Sequence, residues 1–352
     1  MMRLGLVGYG VGGRYFHAPF IQAADGVDLV GVVTRSPERR RILASDFPDL
    51  PVYDDLDKLL EAGVDAVTIT TPPETRRQLV LQALAAGAHV VADKPFAPTA
   101  EGGRELDRAA EQAGLALNVF HNRRFDSDIR TLAGVLNSGV IGDLWRVESR
   151  MDQDSTATLE AGPTGGLLRD LGSHLVDQML WLLGPAHRVY ANLEWIDLPA
   201  GTTDAGFTIT ITHTSGVRSH LSSTKLNHID QRELRAYGRK GSYVADGTDV
   251  QAQAIFAGQR PVDLGDGWGY EAESRWGTVN TADGSHPVPS EQGAYQDYYT
   301  QFAAAVAGTA PFPVPAGEAI HTLEVLDAAR LSATEHRVVS LDENHPGEQK
   351  NP

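Results

Sequence analysis

Two hydrophobic rhythms run along the chain and change over near residue 120. In the first third, short apolar runs recur at Arg3 to Val7, Leu29 to Val33, Asp65 to Thr70, His89 to Ala92 and Leu115 to Phe120, separated by helix-patterned stretches such as Gln78 to Ala86. Short runs dense in Val, Ile and Leu read as strands buried on both faces. Their alternation with helices predicts a parallel, doubly wound sheet.

After His121-Asn122-Arg123-Arg124 the pattern predicts a helix from about Asp126 to Asn137, ending at Gly139, and a strand from about Leu144 to Met151. A glycine-rich loop at Gly162 to Gly166 leads into a helix from about Leu167 to Leu183, which stops at Gly184-Pro185. The stretch "FTITITHTSGVRSHLSSTKL" then alternates apolar and polar residues, as antiparallel strands with one packed face do. Phe207, Ile209 and Ile211 would face the helices, with Thr208, Thr210 and Thr212 on the opposite side. A last helix is expected near Ala316 to Glu335, packed back on the body, and "ENHPGEQKNP" is expected to fray. The fold class is α/β: an N-terminal doubly wound domain over 1–122, an α+β domain with a largely antiparallel open sheet over 123–341, and a flexible tail over 342–352.

Size agrees with two cores, because 352 residues exceed the roughly 250–300 at which one core stops growing. The formal net charge of −16 opposes binding to nucleic acid or to an anionic membrane. With no cysteine, disulfides and thiolate catalysis are excluded. No apolar run approaches the ~18 residues of a membrane span, and "MMRLGLVGYGVGG" lacks the features of a signal peptide, so a cytoplasmic location is expected.

The first apolar run leads straight into Gly8-Tyr9-Gly10-Val11-Gly12-Gly13, in which Gly8, Gly10 and Gly13 have the G-x-G-x-x-G spacing of a Rossmann dinucleotide-binding turn. Glycine there allows a tight turn, close backbone approach to a pyrophosphate and close packing of strand on helix. The second run ends in Thr34-Arg35-Ser36, where an NAD site usually carries an acidic residue for the ribose hydroxyl. Arginine pairs with a 2′-phosphate instead and serine donates a hydrogen bond to it, so NADP is favoured over NAD. Ser36 also reads as a plain helix N-cap before Pro37, and the two roles are compatible.

The fourth run ends at Asp93-Lys94-Pro95-Phe96, at the carboxyl edge where open α/β sheets bind ligands. Pro95 biases Lys94 toward an extended conformation, which projects its ammonium from the strand end. In "RDLGSHLVDQ", Asp170, His174 and Asp177 are spaced i, i+4 and i+7, with Gly172 between them. Leu168, Leu171, Leu175 and Leu182 supply the buried side of that helix. Gly172 costs about 1 kcal/mol relative to alanine unless something approaches closely there, and a substrate or cofactor is the expected occupant. A solvated i,i+4 Asp–His pair is the bland alternative.

The glycine turn, Asp93-Lys94-Pro95, and the Asp170 to His174 helix occur in the order and spacing by which the chain resembles the Gfo/Idh/MocA family of nicotinamide-dependent oxidoreductases. Within it, "GRYFHAPFI", "DKPFAPT" and "FHNRRFDSD" look most like the NADP-dependent scyllo-inositol dehydrogenase branch. The resemblance implies reversible oxidation of a secondary hydroxyl on a cyclic polyol or sugar. His174 would act as general base, Asp170 would orient it and bind a hydroxyl, and Lys94 would stabilise alkoxide charge, with no metal needed. His121, Asn122 and Arg124 are second-tier candidates beside the crevice, and Asp152 and Tyr295 are candidates for contact with substrate hydroxyls. The open sheet would pack on another subunit, giving a homodimer or homotetramer. One departure stands out: where relatives commonly carry Pro-Asn-x-x-His, this chain has Thr71-Pro72-Pro73-Glu74-Thr75-Arg76, which leaves cofactor contacts at Thr71 and Pro72 to the backbone. The competing functions are a redox step with recycled nucleotide, and a non-catalytic nucleotide-sensing protein.

Overall fold

A computed structural model describes residues 1–162 and 165–341. Part of the glycine-rich loop, Pro163 and Thr164, and the tail from 342 lie outside the described residues. The chain divides into two compact units. The first comprises Met1–Ser127, Asp249–Tyr270 and Gln292–Ile320; the second comprises Asp128–Thr248, Glu271–Glu291 and the residues from His321 on.

The first unit holds a six-stranded parallel sheet of β1 (Met2–Val7), β2 (Val27–Val33), β3 (Val52–Tyr53), β4 (Ala66–Ile69), β5 (His89–Ala92) and β6 (Leu117–Val119). Its order is 3-2-1-4-5-6, the doubly wound arrangement, with the switch of direction between β1 and β4. The apolar runs become strands because each is covered on both faces: Leu4, Leu6, Val67, Ile69, Val90 and Val91 are all fully buried.

The domain boundary expected at 122/123 gives way to a unit that takes back two later segments. They return because they carry the aromatic side chains that close its core. Phe20 packs against Trp268 and Tyr295, with ring centroids 5.7 and 5.0 Å apart, and Phe120 packs against Tyr298 and Tyr299 at 4.9 and 5.4 Å. Such pairs add about 0.5–1.5 kcal/mol each beyond area burial. Gln251 ties the two segments together, its Oε1 accepting from Trp268 Nε1 at 3.1 Å and from the Tyr295 amide at 2.9 Å.

The second unit is built on a nine-stranded sheet of β7 (Leu144–Asp152), β8 (Ala186–Leu198), β9 (Gly201–His213), β10 (Arg218–Thr224), β11 (Gln231–Gly238), β12 (Gly241–Asp246), β13 (Gly277–Thr281), β14 (Gly284–Val288) and β15 (Val339–Ser340). The order is 14-13-12-11-7-10-9-8-15, antiparallel throughout except between β7 and β10. Phe207, Ile209 and Ile211 of β9 are buried, Thr208 is exposed, and Thr210 and Thr212 are half-buried, so the alternation in sequence becomes one packed and one open face.

The long helix behind this sheet is fixed at both ends. Asp204 of β9, itself buried, accepts from the Leu168 amide at 2.6 Å and from Arg330 Nη2 at 3.0 Å, which caps the helix start with a carboxylate. Gly166 makes room for it, with φ of +94° and a hypothetical Cβ only 2.2 Å from Asp204 Oδ1. At the far end, buried His213 Nδ1 donates to the Gly184 carbonyl at 2.7 Å, and the Ser219 hydroxyl donates to Nε2 at 2.6 Å. The helix is not α throughout: Leu168–Gly172 is a π turn, followed by α-helix over Ser173–Leu183. Among the described residues, no helix is long and apolar enough to cross a membrane.

Burial lowers the pKa of His213 below its ordinary 6.5, with the Gly184 hydrogen bond opposing and nearby His321 adding to the shift. The unfolded chain therefore takes up this proton first as pH falls. The stability that the neutral imidazole contributes is complete above about pH 6.5 and is lost on acidification. Thermal melts from pH 7.5 to 5.0 are expected to give a falling Tm in the wild type and a shallower fall in His213→Gln. Identical slopes would contradict this; His89 and His220, also lowered by burial, keep their share in both proteins.

Candidate active site

In the first unit the glycines do different jobs. Gly8 adopts φ of +106°, and a Cβ on Gly13 would lie 2.2 Å from the Gly8 carbonyl oxygen, so both are demanded by the chain's own packing. Gly10 is not: a Cβ there would come no closer than 3.7 Å to protein, to the Arg39 guanidinium. The protein crowds Gly10 no more than ordinary contact, and the group in contact is cationic. That is the cradle a dinucleotide phosphate requires, and the turn fits the cofactor.

At the end of β2, Thr34 is buried and Arg35 is exposed, with Nε donating to the Asp54 carbonyl at 3.1 Å. Ser36 is the N-cap of the helix Pro37–Asp46, its Oγ accepting from the Arg39 amide at 3.3 Å. Asp54 neutralises Arg40 and Lys58, at 2.5 and 2.7 Å. Arg35 and Arg39 have no ion-pair partner among the described residues, and both remain available to an anion. Arg39 was not singled out in the sequence because it sits inside the Arg39-Arg40-Arg41 run, which reads as a solvated face.

Lys94 follows β5, and its amide donates to Asp93 Oδ1 at 2.8 Å. Beneath it, His17 is wholly buried in a π turn over Gly12–His17. His17 Nδ1 and the Tyr299 hydroxyl lie 2.5 Å apart, and Nε2 lies 3.6 Å from Asp93 Oδ1. Burial by itself would raise the Asp93 pKa, but His17, Arg76 and Lys94 outweigh it and hold the carboxyl down at about 2. In the loop after β4, the Thr71 hydroxyl accepts from Thr75 at 2.8 Å and Pro72 precedes the helix Pro73–Ala85. His121 and Asn122 follow β6 and are buried. Arg124 is also buried, paired with Glu318 at 2.6 Å.

In the second unit, parallel pairing of β7 with β10 brings their carboxyl ends together. Asp152, at the end of β7, accepts from Arg150 at 2.6 Å, from Asn227 at 2.9 Å and from the Thr224 amide at 3.0 Å. Those bonds brace the two strand ends and engage both oxygens of the carboxylate expected to touch substrate. Lys225, the residue after β10, is 2% exposed and directs its ammonium to Thr158 Oγ1 at 2.8 Å and Asp170 Oδ2 at 3.2 Å. Asp170 keeps about half of its side chain exposed (47%). It is thus a carboxylate held by a buried cation and still partly exposed. The sequence signal for Lys225 was a lysine ending a strand, the same feature that marked Lys94.

His174 and Asp177 are buried, so the three polar residues do not form one open face. Gly172 is explained differently from the expectation: a Cβ there would meet Leu168 at 3.0 Å and the Phe207 ring at 3.4 Å, so β9 is what approaches. Tyr295 belongs to the first unit and is fully buried, its hydroxyl donating to Asp126 at 2.5 Å. That placement closes a core rather than presenting a hydroxyl to substrate. Among the described residues, no group of His, Cys, Asp or Glu is arranged to hold a metal ion.

Residues 2–121 match the profile described as "Oxidoreductase family, NAD-binding Rossmann fold", and residues 129–244 match "GFO/IDH/MocA C-terminal domain". The scyllo-inositol 2-dehydrogenase (NADP(+)) IolW of Bacillus subtilis is 31% identical over 352 residues, covering 97% of this chain and 96% of that protein. The uncharacterized oxidoreductase YdgJ of Escherichia coli is 34% identical over 346 residues, covering 96% and 97%. A Yersinia pestis protein of solved structure is 34% identical with a TM-score of 0.88, and the match covers 97% of both chains.

Tyr295→Phe is expected to cost about 1.5–3 kcal/mol of stability, the worth of a hydrogen bond to a charged group, while leaving substrate KM unchanged. A raised KM with unchanged stability would restore Tyr295 to the substrate.

Proposed function

Since the chain belongs to the Gfo/Idh/MocA family of NAD(P)-binding oxidoreductases, we propose that it interconverts a secondary hydroxyl and a ketone on a cyclic polyol or sugar of the inositol kind, with NADP as the preferred cofactor. The observation that carries this reading is the pairing, in one sheet, of an open glycine turn after β1 with an ammonium-bearing turn after β5. Family membership supports the redox class, and the Bacillus relative's name supports the substrate class.

When bound, the nicotinamide accepts or supplies the hydride. The chain's own residues manage the proton and the oxygen. In the oxidative direction His174 takes the hydroxyl proton as the C–H hydrogen leaves as hydride, and it returns that proton on reduction. An imidazole suits both directions because its ordinary pKa, about 6.5, lies near working pH. The role assigned to Lys94 is to donate to a developing alkoxide and stabilise its negative charge. Asp170, kept as an oriented carboxylate by Lys225, binds a neighbouring hydroxyl and steadies His174. The 2′-phosphate is bound by Arg39 and Arg35, which have no carboxylate partner to displace.

Formation of reduced nicotinamide from scyllo-inositol and NADP⁺ is expected in the wild type. His174→Ala and Lys94→Met should each lower kcat by roughly 10²–10⁴-fold, the range for a proton-transfer group and an oxyanion donor. Undiminished turnover in either variant would remove that residue from the mechanism. Arg39→Ala is expected to raise the KM for NADP⁺ about tenfold or more, equivalent to one charge-assisted contact, and to leave the KM for NAD⁺ nearly unchanged. An equal effect on both cofactors would overturn the phosphate assignment.

A further inference from the structure

We propose that Arg76 is a positioning residue for Lys94, a role that rests on the function assigned to Lys94 above. Arg76 stands in the first turn of the helix Pro73–Ala85 that follows β4, where this chain departs from the Pro-Asn-x-x-His pattern, and it is only 5% exposed. Its guanidinium spans the turn. Nε donates to the Thr71 carbonyl at 2.9 Å, and Nη1 donates to the carbonyls of Asp93 at 2.9 Å and Pro95 at 2.5 Å. Nη2 lies 3.6 Å from Asp93 Oδ2. The carbonyls immediately before and after Lys94 are therefore held by the same nitrogen.

Such a group is an expensive way to fill space. A buried guanidinium carries a desolvation cost that an apolar side chain of similar volume would avoid. What only the guanidinium offers is a rigid planar fork able to reach three carbonyls and a carboxylate at once. Its partners are main-chain oxygens of the β4 and β5 loops, so it fixes backbone position. With the carbonyls of both flanking residues tied, the Lys94 backbone is set. His17 Nε2 lies 3.6 Å from the opposite oxygen of Asp93, so the carboxylate sits between two buried side chains. The arrangement aims Lys94 without Arg76 touching substrate.

Lysine at position 76 keeps the charge but cannot bridge all the acceptors, so Arg76→Lys separates positioning from folding. Arg76→Lys, Arg76→Met and Lys94→Met would be compared by thermal melting, NADPH fluorescence titration and steady-state kinetics. In Arg76→Lys we expect an unchanged melt, NADPH affinity within about threefold, little change in substrate KM, and kcat down about tenfold or more, as misplacement of a reacting group produces. Wild-type kcat in Arg76→Lys overturns the proposal. Parallel loss of melting temperature, NADPH affinity and kcat in both Arg76 variants also overturns it, because Arg76 would then support the whole unit. Undiminished kcat in Lys94→Met would instead refute the role of Lys94, so the two failures are distinguishable.

Discussion

A close backbone approach in the glycine turn after β1 is the constraint on which the chemistry of the nucleotide half depends. The helix after β1 sits so near the preceding turn that Gly13 can carry no side chain, and Gly8 must take a left-handed φ to let the chain turn at all. Those two requirements bring the turn to the carboxyl edge of the sheet, beside the β4 and β5 loops. Once the turn is there, Gly10 lies at ordinary contact distance from the Arg39 guanidinium, and Gly12 comes close to Asp93, a Cβ on it lying 3.3 Å from Asp93 Oδ2. Tight packing at two glycines thus sets the third, itself uncrowded, beside a cation.

The two units use a common physical device at their strand ends: a cation held in place by fixed partners. In the first, Arg76 and His17 bracket Asp93 under the Lys94 turn. In the second, Lys225 braces Asp170 from within the protein while the carboxylate keeps an exposed side. Burying a lysine or an arginine is costly unless it is paired and hydrogen-bonded, and both are. The desolvation is spent on orienting groups that would otherwise sample several rotamers, which is how a site is organised before its ligand arrives.

The strands of the parallel sheet and the alternating β9 and β10 were legible because burial pattern follows local periodicity: Val, Ile and Leu runs in one, Phe207-Thr208-Ile209-Thr210 in the other. The glycine turn and the strand-end Lys94 were legible because their meaning lies in a few adjacent residues. What was missed depends on partners far away in sequence. Trp268 and Tyr295 return to the first unit because Phe20 and Gln251 receive them, and nothing near residue 295 records that. Asp204 caps a helix that begins 36 residues earlier, and the π turn at Leu168–Gly172 has no periodic signature. Gly172 was read as room for a ligand because a glycine reports only that something comes close; the structure identifies that neighbour as Phe207.

The central claim is that the turn after β1 is kept open for a dinucleotide. Gly10→Val tests it most directly, because the protein itself leaves ordinary contact distance around a Cβ there, 3.7 Å at the nearest. The measurement is NADPH titration of the wild type and the variant, each with its thermal melt. The expected result is an unchanged melting temperature and NADPH affinity weakened by about tenfold or more, the loss of close backbone approach to the pyrophosphate. A variant that melts like the wild type and binds NADPH equally well would contradict it.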